Sequence, residues 1–219
     1  MQPNELKRLA AGADRRAQEL SRDFERVAAD RGLLDVGYGF AESPFGRLLV
    51  AVTDRGLVTL AYPNEEVGLT LERLATRVSP RIIESARATE RIRRELDEYF
   101  EGRRKDFDVG VDWALTGGFG RKVLAQTARI PYGSVATYRE VAERAGSPRG
   151  MRAAGNALGA NPVPIVVPCH RVVNTGGGLG GYTGGLDRKI ALLSLEGALE
   201  PDVVRASRAG ARMRPFASG

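Results

Sequence analysis

Residues 137–159 read Thr137-Tyr138-Arg139-Glu140-Val141-Ala142-Glu143-Arg144-Ala145-Gly146-Ser147-Pro148-Arg149-Gly150-Met151-Arg152-Ala153-Ala154-Gly155-Asn156-Ala157-Leu158-Gly159. The opening T-x-x-E has the form of a capping box, in which a threonine hydroxyl and a glutamate carboxylate take up the first free N–H groups of a helix. This predicts a helix to about Ala145. Gly146 ends it, and Ser147-Pro148 suits the cap and first turn of a second helix over Arg149–Gly159. Helix, short glycine-bearing turn, helix is a helix-turn-helix pattern. The second helix has no large apolar face. It carries Ala153, Ala154, Gly155 and Ala157, with Arg149 and Arg152 beside them. Small side chains let a helix approach a duplex closely, and the arginines reach phosphates or bases. The alternative is a structural helix hairpin.

Charge favours DNA. Residues 1–115 carry 19 Lys/Arg against 21 Asp/Glu, and residues 116–219 carry 14 against 6. The net charge of +6 therefore belongs to the half containing the helix pair, although Arg205, Arg208, Arg212 and Arg214 supply part of it. A one-sided basic excess points to a polyanionic partner.

Downstream, Asn161-Pro162-Val163-Pro164 leads through Ile165-Val166-Val167 to Pro168-Cys169-His170-Arg171. The chain has one cysteine and one histidine, and they are adjacent. A lone cysteine after an apolar run is often a buried small hydrophobe. As a nucleophile it needs a base or a positive neighbour, because a free thiol is only partly ionised at neutral pH. His170 is the one imidazole available, and Glu196 is a carboxylate that could orient it. The prolines predict an extended path with the thiol on a rigid strand or turn. On a strand, successive side chains point to opposite faces, so the pair needs a bend or a bridging water. The segment Thr175–Gly185 holds seven glycines but lacks the GxxxxGK[ST] phosphate-loop pattern, which leaves walling of a planar base pocket, with Tyr182 as lid, as an equal reading. Leu186–Leu195 returns to helical periodicity.

Upstream, Leu6, Leu9, Ala13, Ala17, Leu20, Phe24 and Val27 place an amphipathic helix over residues 4–30. Strands are expected over Val36–Phe40, Arg47–Thr53 and Leu57–Tyr62, the last two as a hairpin. Helices are expected over Glu65–Val78 and Ser85–Phe100, and a further short strand over Phe107–Val111. No chemistry is visible in this part, whose expected role is scaffold. A helix over Phe119–Arg129 precedes the helix pair. Four parts follow: an N-terminal helical extension (1–32), an α+β scaffold domain (33–112), a C-terminal helix-turn-helix domain (113–200) and a basic, disordered tail (201–219).

The string PVPIVVPCHRVV, the glycine loop with GYTGGL, and a helix ending LEG resemble the O6-alkylguanine-DNA alkyltransferases, the methylated-DNA–protein-cysteine methyltransferases. IPYGSVATYREVA, the R-x-A-x-x-A of the second helix, Asn161 and LDEYFEGRRKDFDV match the same family in order, over about residues 34–198. The resemblance implies an α+β fold: a small mixed α/β, ribonuclease H-like N-terminal domain, then a mainly helical, winged-helix-like domain with a DNA-binding helix-turn-helix. It implies single-turnover repair, in which O6-alkylguanine, mainly O6-methylguanine and also O4-alkylthymine, is flipped from duplex DNA and its alkyl group passes irreversibly to Cys169. By the same resemblance His170 acts as base through a water with Glu196 behind it, Asn161 fixes the active loop, and Tyr138 assists the leaving guanine and rotation of the nucleotide. Arg152 resembles the arginine that fills the gap left by the flipped base, with Arg149, Ala153, Ala154 and Gly155 on the DNA-binding face. Val172, Tyr182, Thr183 and Gly184 would form the substrate pocket.

Independent chemistry agrees with this assignment. A thioether on Cys169 is a very poor leaving group and no second thiol could accept the alkyl group. One Cys and one His also exclude intramolecular disulfides and a tetrahedral Cys/His zinc site. No metal or cofactor is expected. The polar N-terminus and short apolar runs predict a cytoplasmic protein without membrane contact, and a nucleoid-associated monomer is expected. Three rivals remain: a non-enzymatic alkyltransferase-like damage binder, against which the intact PCHR argues, a cysteine-bearing regulator, and a Cys-His hydrolase that would turn over.

Overall fold

A computed structural model describes residues 31–176 and 178–199, with Arg16 and Val27. Apart from those two positions, the helix expected over 4–30 and the tail over 201–219 lie outside the described residues. Strands β1 (Val36–Ala41), β2 (Leu48–Thr53) and β3 (Gly56–Ala61) run antiparallel in sequence, closing at the expected hairpin. A three-residue strand, β4 (Ile82–Glu84), joins β1 in parallel and gives the order β3-β2-β1-β4. Both faces of the sheet are covered, so β2 and β3 are buried almost continuously and do not alternate. One face packs Val36, Ala51 and Val58 against Leu74 of helix α1 (Val67–Arg77). The other packs Leu48, Val50 and Leu60 against Ile92, Leu96 and Tyr99 of helix α2 (Glu90–Phe100).

Helix α2 begins five residues later than its periodicity predicts. Ser85 and Thr89 explain the delay: the Ser85 hydroxyl accepts from the Ala88 amide, and the Thr89 hydroxyl donates to the Ser85 carbonyl. Such local bonds compete with helix. The strand expected over Phe107–Val111 is corrected to an irregular segment with a single bridge, Leu57 to Val111. Its Asp108 and Val109 amides donate to the buried Glu95 carboxylate, at 2.9 and 3.1 Å, where a strand would need a neighbouring backbone.

The second half contains α3 (Gly118–Thr127), β5 (Ala136–Thr137), α4 (Tyr138–Arg144), α5 (Met151–Gly159), β6 (Val172–Val173) and α6 (Leu186–Leu195). The capping box is present in full between Thr137 and Glu140. Gly146, at φ +85°, follows α4, but Ser147–Gly150 forms a turn of its own, so α5 starts at Met151 without a side-chain cap. The fold is thus a mixed α/β unit followed by a mainly helical unit with a helix-turn-helix. One apolar core crosses both, joining Leu57, Leu60 and Leu96 to Val123, Val141, Leu158, Ile165 and Leu192. Strand β3 takes part in this union, since its Leu60 amide donates to the Pro162 carbonyl at 2.8 Å. Among the described residues no helix is long and apolar enough to cross a membrane.

Gly56 is where the hairpin and the 108–112 segment meet. Its φ is +126°, and an added Cβ would stand 2.2 Å from the Gly110 carbonyl oxygen. Backbone cannot yield as a side-chain tip does. Gly56→Ala should therefore lower the unfolding free energy in urea by roughly 2–4 kcal/mol. A loss below about 0.5 kcal/mol, within the range of an ordinary surface change, would show that the 108–112 segment is free to move away.

Candidate active site

Two parallel two-residue strands assemble the site. Ala136 pairs with Val172 and Thr137 with Val173. Tyr138, immediately after β5, is thereby set beside the residues immediately before β6, which are Cys169, His170 and Arg171. Those three form a 3-10 turn, so the expected strand alternation does not apply. Nor is the approach extended: Val167 donates to the Val163 carbonyl at 2.9 Å, closing a turn over Val163–Val167. Ile165 adopts φ +74° in that turn, the one left-handed non-glycine among the described residues. For a β-branched residue this costs about 1–2 kcal/mol. Asn161 holds the turn from inside: its Oδ1 accepts from the Val163 amide at 3.1 Å, and its Nδ2 donates to the Val167 carbonyl at 2.8 Å and to Cys169 Sγ at 3.2 Å.

Behind the thiol lies a buried polar network centred on Glu196. Its Oε1 accepts from His170 Nε2 at 2.9 Å, Arg171 Nη2 at 2.9 Å and the Tyr99 hydroxyl at 2.7 Å. Its Oε2 accepts from Arg171 Nε at 2.8 Å. All four residues are buried. Burial alone would raise the Glu196 pKa, but the hydrogen bonds from His170 and Arg171 and the Arg171 charge prevail and hold it down at about 2. Burial lowers the His170 pKa despite Glu196 beside it. A carboxylate only accepts, so neutral His170 carries its proton on Nε2 and keeps a lone pair on Nδ1. That Nδ1 is buried and has no hydrogen-bond partner among the described residues. Cys169 is itself buried, which pushes its thiol pKa up, against opposing contributions from the Asn161 amide, the Lys189 charge, its own backbone amide and the Tyr182 hydroxyl.

In front of the thiol a cavity of about 310 Å³ is lined by Tyr138, Gly155, Leu158, Gly159, Gly181, Tyr182 and Thr183. The Tyr138 hydroxyl donates to the Gly181 carbonyl at 3.2 Å, and Thr183 Oγ1 to the Gly159 carbonyl at 2.8 Å, which fastens the glycine-rich loop to α5. Lys189, fully buried on α6, fastens it from beneath through the Val172, Leu179 and Gly181 carbonyls. At Gly180, φ +68°, a Cβ would stand 2.9 Å from the Tyr138 ring. Gly184 has no room either, since a Cβ would lie 2.6 Å from Tyr182 and 2.8 Å from Tyr62. A second cavity, of about 240 Å³, meets Cys169 from the side of Leu60, Tyr62 and Arg73.

The fold thus gathers Cys169, His170, Glu196, Asn161, Tyr138, Gly155, Tyr182, Thr183 and Gly184 around one point. Arg149, Arg152 and Ala153 are exposed on the α5 side, outside the cavity. One expected contact, Ala154, is corrected, and the side chain of a second residue, Val172, is placed in the interior. Ala154 faces the core at 0 % exposure, because the α5 face that meets the rest of the domain is this alanine with Leu158. Val172 is fully buried, lines neither cavity, and has its carbonyl on Lys189. Sequence reasoning missed Arg171, Lys189, Tyr99 and Tyr62. Arg171 sits inside the quoted motif. Tyr99 lies on the apolar face of its helix, where a buried phenol needs a partner. For Lys189 and Tyr62 no local signal exists.

Comparison with known proteins agrees with this geometry. Residues 36–113 match the family described as 6-O-methylguanine DNA methyltransferase, ribonuclease-like domain, and residues 118–198 match its DNA binding domain. A methylated-DNA–protein-cysteine methyltransferase of Mycolicibacterium paratuberculosis is 40% identical over 167 residues, covering 74% of this chain and 92% of that protein. One of the same name from Methanosarcina acetivorans is 38% identical over 161 residues, covering 74% and 98%. A solved structure of Mycobacterium tuberculosis OGT in complex with DNA superposes with a TM-score of 0.63 at 36% identity, covering 74% of this chain and 92% of that one.

Removing the Glu196 charge would strand Arg171 in the interior. Glu196→Gln should cost roughly 3–5 kcal/mol in urea unfolding at neutral pH. Because the folded-state pKa is depressed, this stabilisation is complete above the ordinary value of 4.5 and is lost as pH falls towards about 2. The gap between variant and wild type should therefore narrow on acidification below 4.5. A gap independent of pH there would argue that the carboxylate is not the source.

Proposed function

This chain belongs to the methylated-DNA–protein-cysteine methyltransferase family, and we propose that Cys169 is the cysteine to which the alkyl group passes. The activity is direct reversal of DNA damage, and its partner is DNA. One observation carries the assignment of residues. The chain's single thiol closes a cavity whose rim is the second helix of the helix-turn-helix, and a histidine–carboxylate pair stands behind that thiol.

The steps follow from the geometry. A guanine alkylated on O6 is extruded from the stack, at a cost of a few kcal/mol, into the cavity between Tyr138 and the glycine-rich loop. Arg152, exposed on α5, and Arg149, exposed in the turn before it, face the duplex, and Arg152 occupies the gap left by the base. The thiol proton passes through a water to the Nδ1 lone pair of His170, which Glu196 holds in the tautomer able to receive it. The thiolate attacks the alkyl carbon, the S–C bond forms, and the C–O6 bond breaks with its electron pair going to guanine. Tyr138 hydrogen-bonds the departing base and gives it a proton, and the proton taken from the thiol returns to Tyr138 from His170 through water, so that guanine leaves neutral and His170 is restored. The Asn161 amide steadies the sulfur during attack. The product is unmodified guanine and an S-alkylated protein, with no second thiol to relieve it.

Intact mass after incubation with duplex DNA containing O6-methylguanine should rise by the equivalent of one methyl group per chain, and not at all with Cys169→Ser. Tight binding without a mass change would convert the assignment to a non-catalytic damage binder, and repeated turnover would convert it to a hydrolase. Separately, Arg152→Ala should slow repair of the duplex about 10- to 100-fold while changing reaction with free O6-benzylguanine less than about threefold. Equal losses on both substrates would remove Arg152 from base flipping.

A further inference from the structure

We propose that the N-terminal α/β unit is a working part of the active site: through two phenols, Tyr99 and Tyr62, it positions the relay carboxylate and the wall of the substrate pocket. The inference rests on the alkyltransferase assignment and extends it to residues on the far side of the fold. Tyr99 belongs to α2, and its hydroxyl donates to Glu196 Oε1 at 2.7 Å across 97 residues of sequence. Tyr62 follows β3, and its hydroxyl lies 2.6 Å from that of Tyr182 across 120 residues. The two bonds act on opposite sides of Cys169. One reaches the group behind the thiol and the other the residue that walls the cavity in front of it.

Tyr99 works by dividing the charge of Glu196. Oε1 carries three donors, and Arg171 adds a second bond on Oε2. Every donor other than His170 withdraws negative charge from the oxygen that faces the imidazole. The carboxylate then fixes the ring and its tautomer without drawing a second proton onto it. Groups bearing on the pair from the surrounding elements are Arg171 on the same turn, Tyr99 from α2 and Lys189 from α6, with Tyr132 packed on Arg171 and bonded to the Leu195 carbonyl. Arg171 and Lys189 also disfavour a charged imidazole. With the Tyr99 hydroxyl gone, Glu196 would hold more charge towards His170, and imidazolium would be favoured.

Tyr62 works on shape. It is locked by Phe45 edge-on at 6.2 Å between ring centroids and by the Arg188 guanidinium, 4.6 Å over its ring. Arg188 in turn donates to Asn64 and to the Gly184 carbonyl, at 2.6 and 2.8 Å. Tyr182 therefore takes its position from a rigid sheet edge, although it stands in a segment rich in glycine.

The variants Tyr99→Phe and Tyr62→Phe each remove one oxygen and leave the rings packed. Because His170 is the only histidine, its imidazole nitrogen resonances need no assignment. In the full chain, nitrogen NMR should show the Nε2-protonated tautomer, and Tyr99→Phe should raise the titration midpoint by about half a unit to one unit. Tyr99→Phe should also move the acid limb of Cys169 alkylation by iodoacetamide in the same direction and slow methyl transfer from duplex DNA about two- to fourfold at neutral pH, and more as the pH falls. Tyr62→Phe should leave the His170 titration midpoint within about 0.2 unit and slow the transfer from DNA about fivefold. A Tyr99→Phe protein with an unchanged His170 midpoint and unchanged rates, whatever its melting temperature, would reduce Tyr99 to a packing residue. A Tyr62→Phe protein that repairs DNA at the wild-type rate would do the same for Tyr62. Wild-type protein that takes no methyl group from the duplex would instead overturn the alkyltransferase assignment.

Discussion

The ion pair between Arg171 and Glu196 is the constraint on which the remainder of the structure depends. Both groups are buried, and two charges leave water only when their geometry and hydrogen bonding are nearly complete. Here completeness requires distant parts of the chain to arrive together. Glu196 caps the C-terminus of α6, Arg171 ends the turn that carries the thiol, Tyr99 comes from α2, and Ile130, whose carbonyl Arg171 also engages, precedes β5. A chain that misplaces any of these leaves an unpaired charge in the interior. The pair thus specifies the union of the two units more sharply than their shared apolar core does, since apolar contacts tolerate small shifts.

Lys189 shows the same logic at a smaller scale. Burial drives its pKa down to about 8. A lysine depressed in the folded state binds its proton less readily there than when unfolded, so it costs stability at neutral pH, and that cost eases as pH rises above about 8 towards 10.5. The fold carries this cost because an ammonium offers three donors from one point. Three carbonyls of β6 and the glycine-rich loop converge there, and the loop has few side chains with which to hold itself.

Much of this was legible in the sequence for identifiable reasons. The helix-turn-helix announced itself through Thr137, Glu140 and Gly146, because capping and termination are local chemistry. The three-strand meander showed in its β-branched runs and in the short gap between the last two strands. Cys169, His170 and Glu196 were found because the first two are unique and adjacent and the third stands at a helix end. What escaped was non-local. β4 is three residues long, too short for periodicity. The strand expected over Phe107–Val111 failed because the Glu95 carboxylate, a dozen residues away, takes its amides. Ala154 looked like part of a DNA-facing stripe because small residues serve equally for close approach to a duplex and close packing inside. Tyr99 and Tyr62 act through hydroxyls whose partners lie about a hundred residues away.

The deep placement of the thiol has a consequence for the lifetime of the molecule. Cys169 is 7 % exposed, and burial keeps it protonated at rest. A protein that is spent by a single reaction would be squandered by a permanently ionised thiol, since every stray electrophile or oxidant would find it. With its base neutral and its thiol protonated, the resting molecule meets stray electrophiles more slowly than a permanently ionised thiol would.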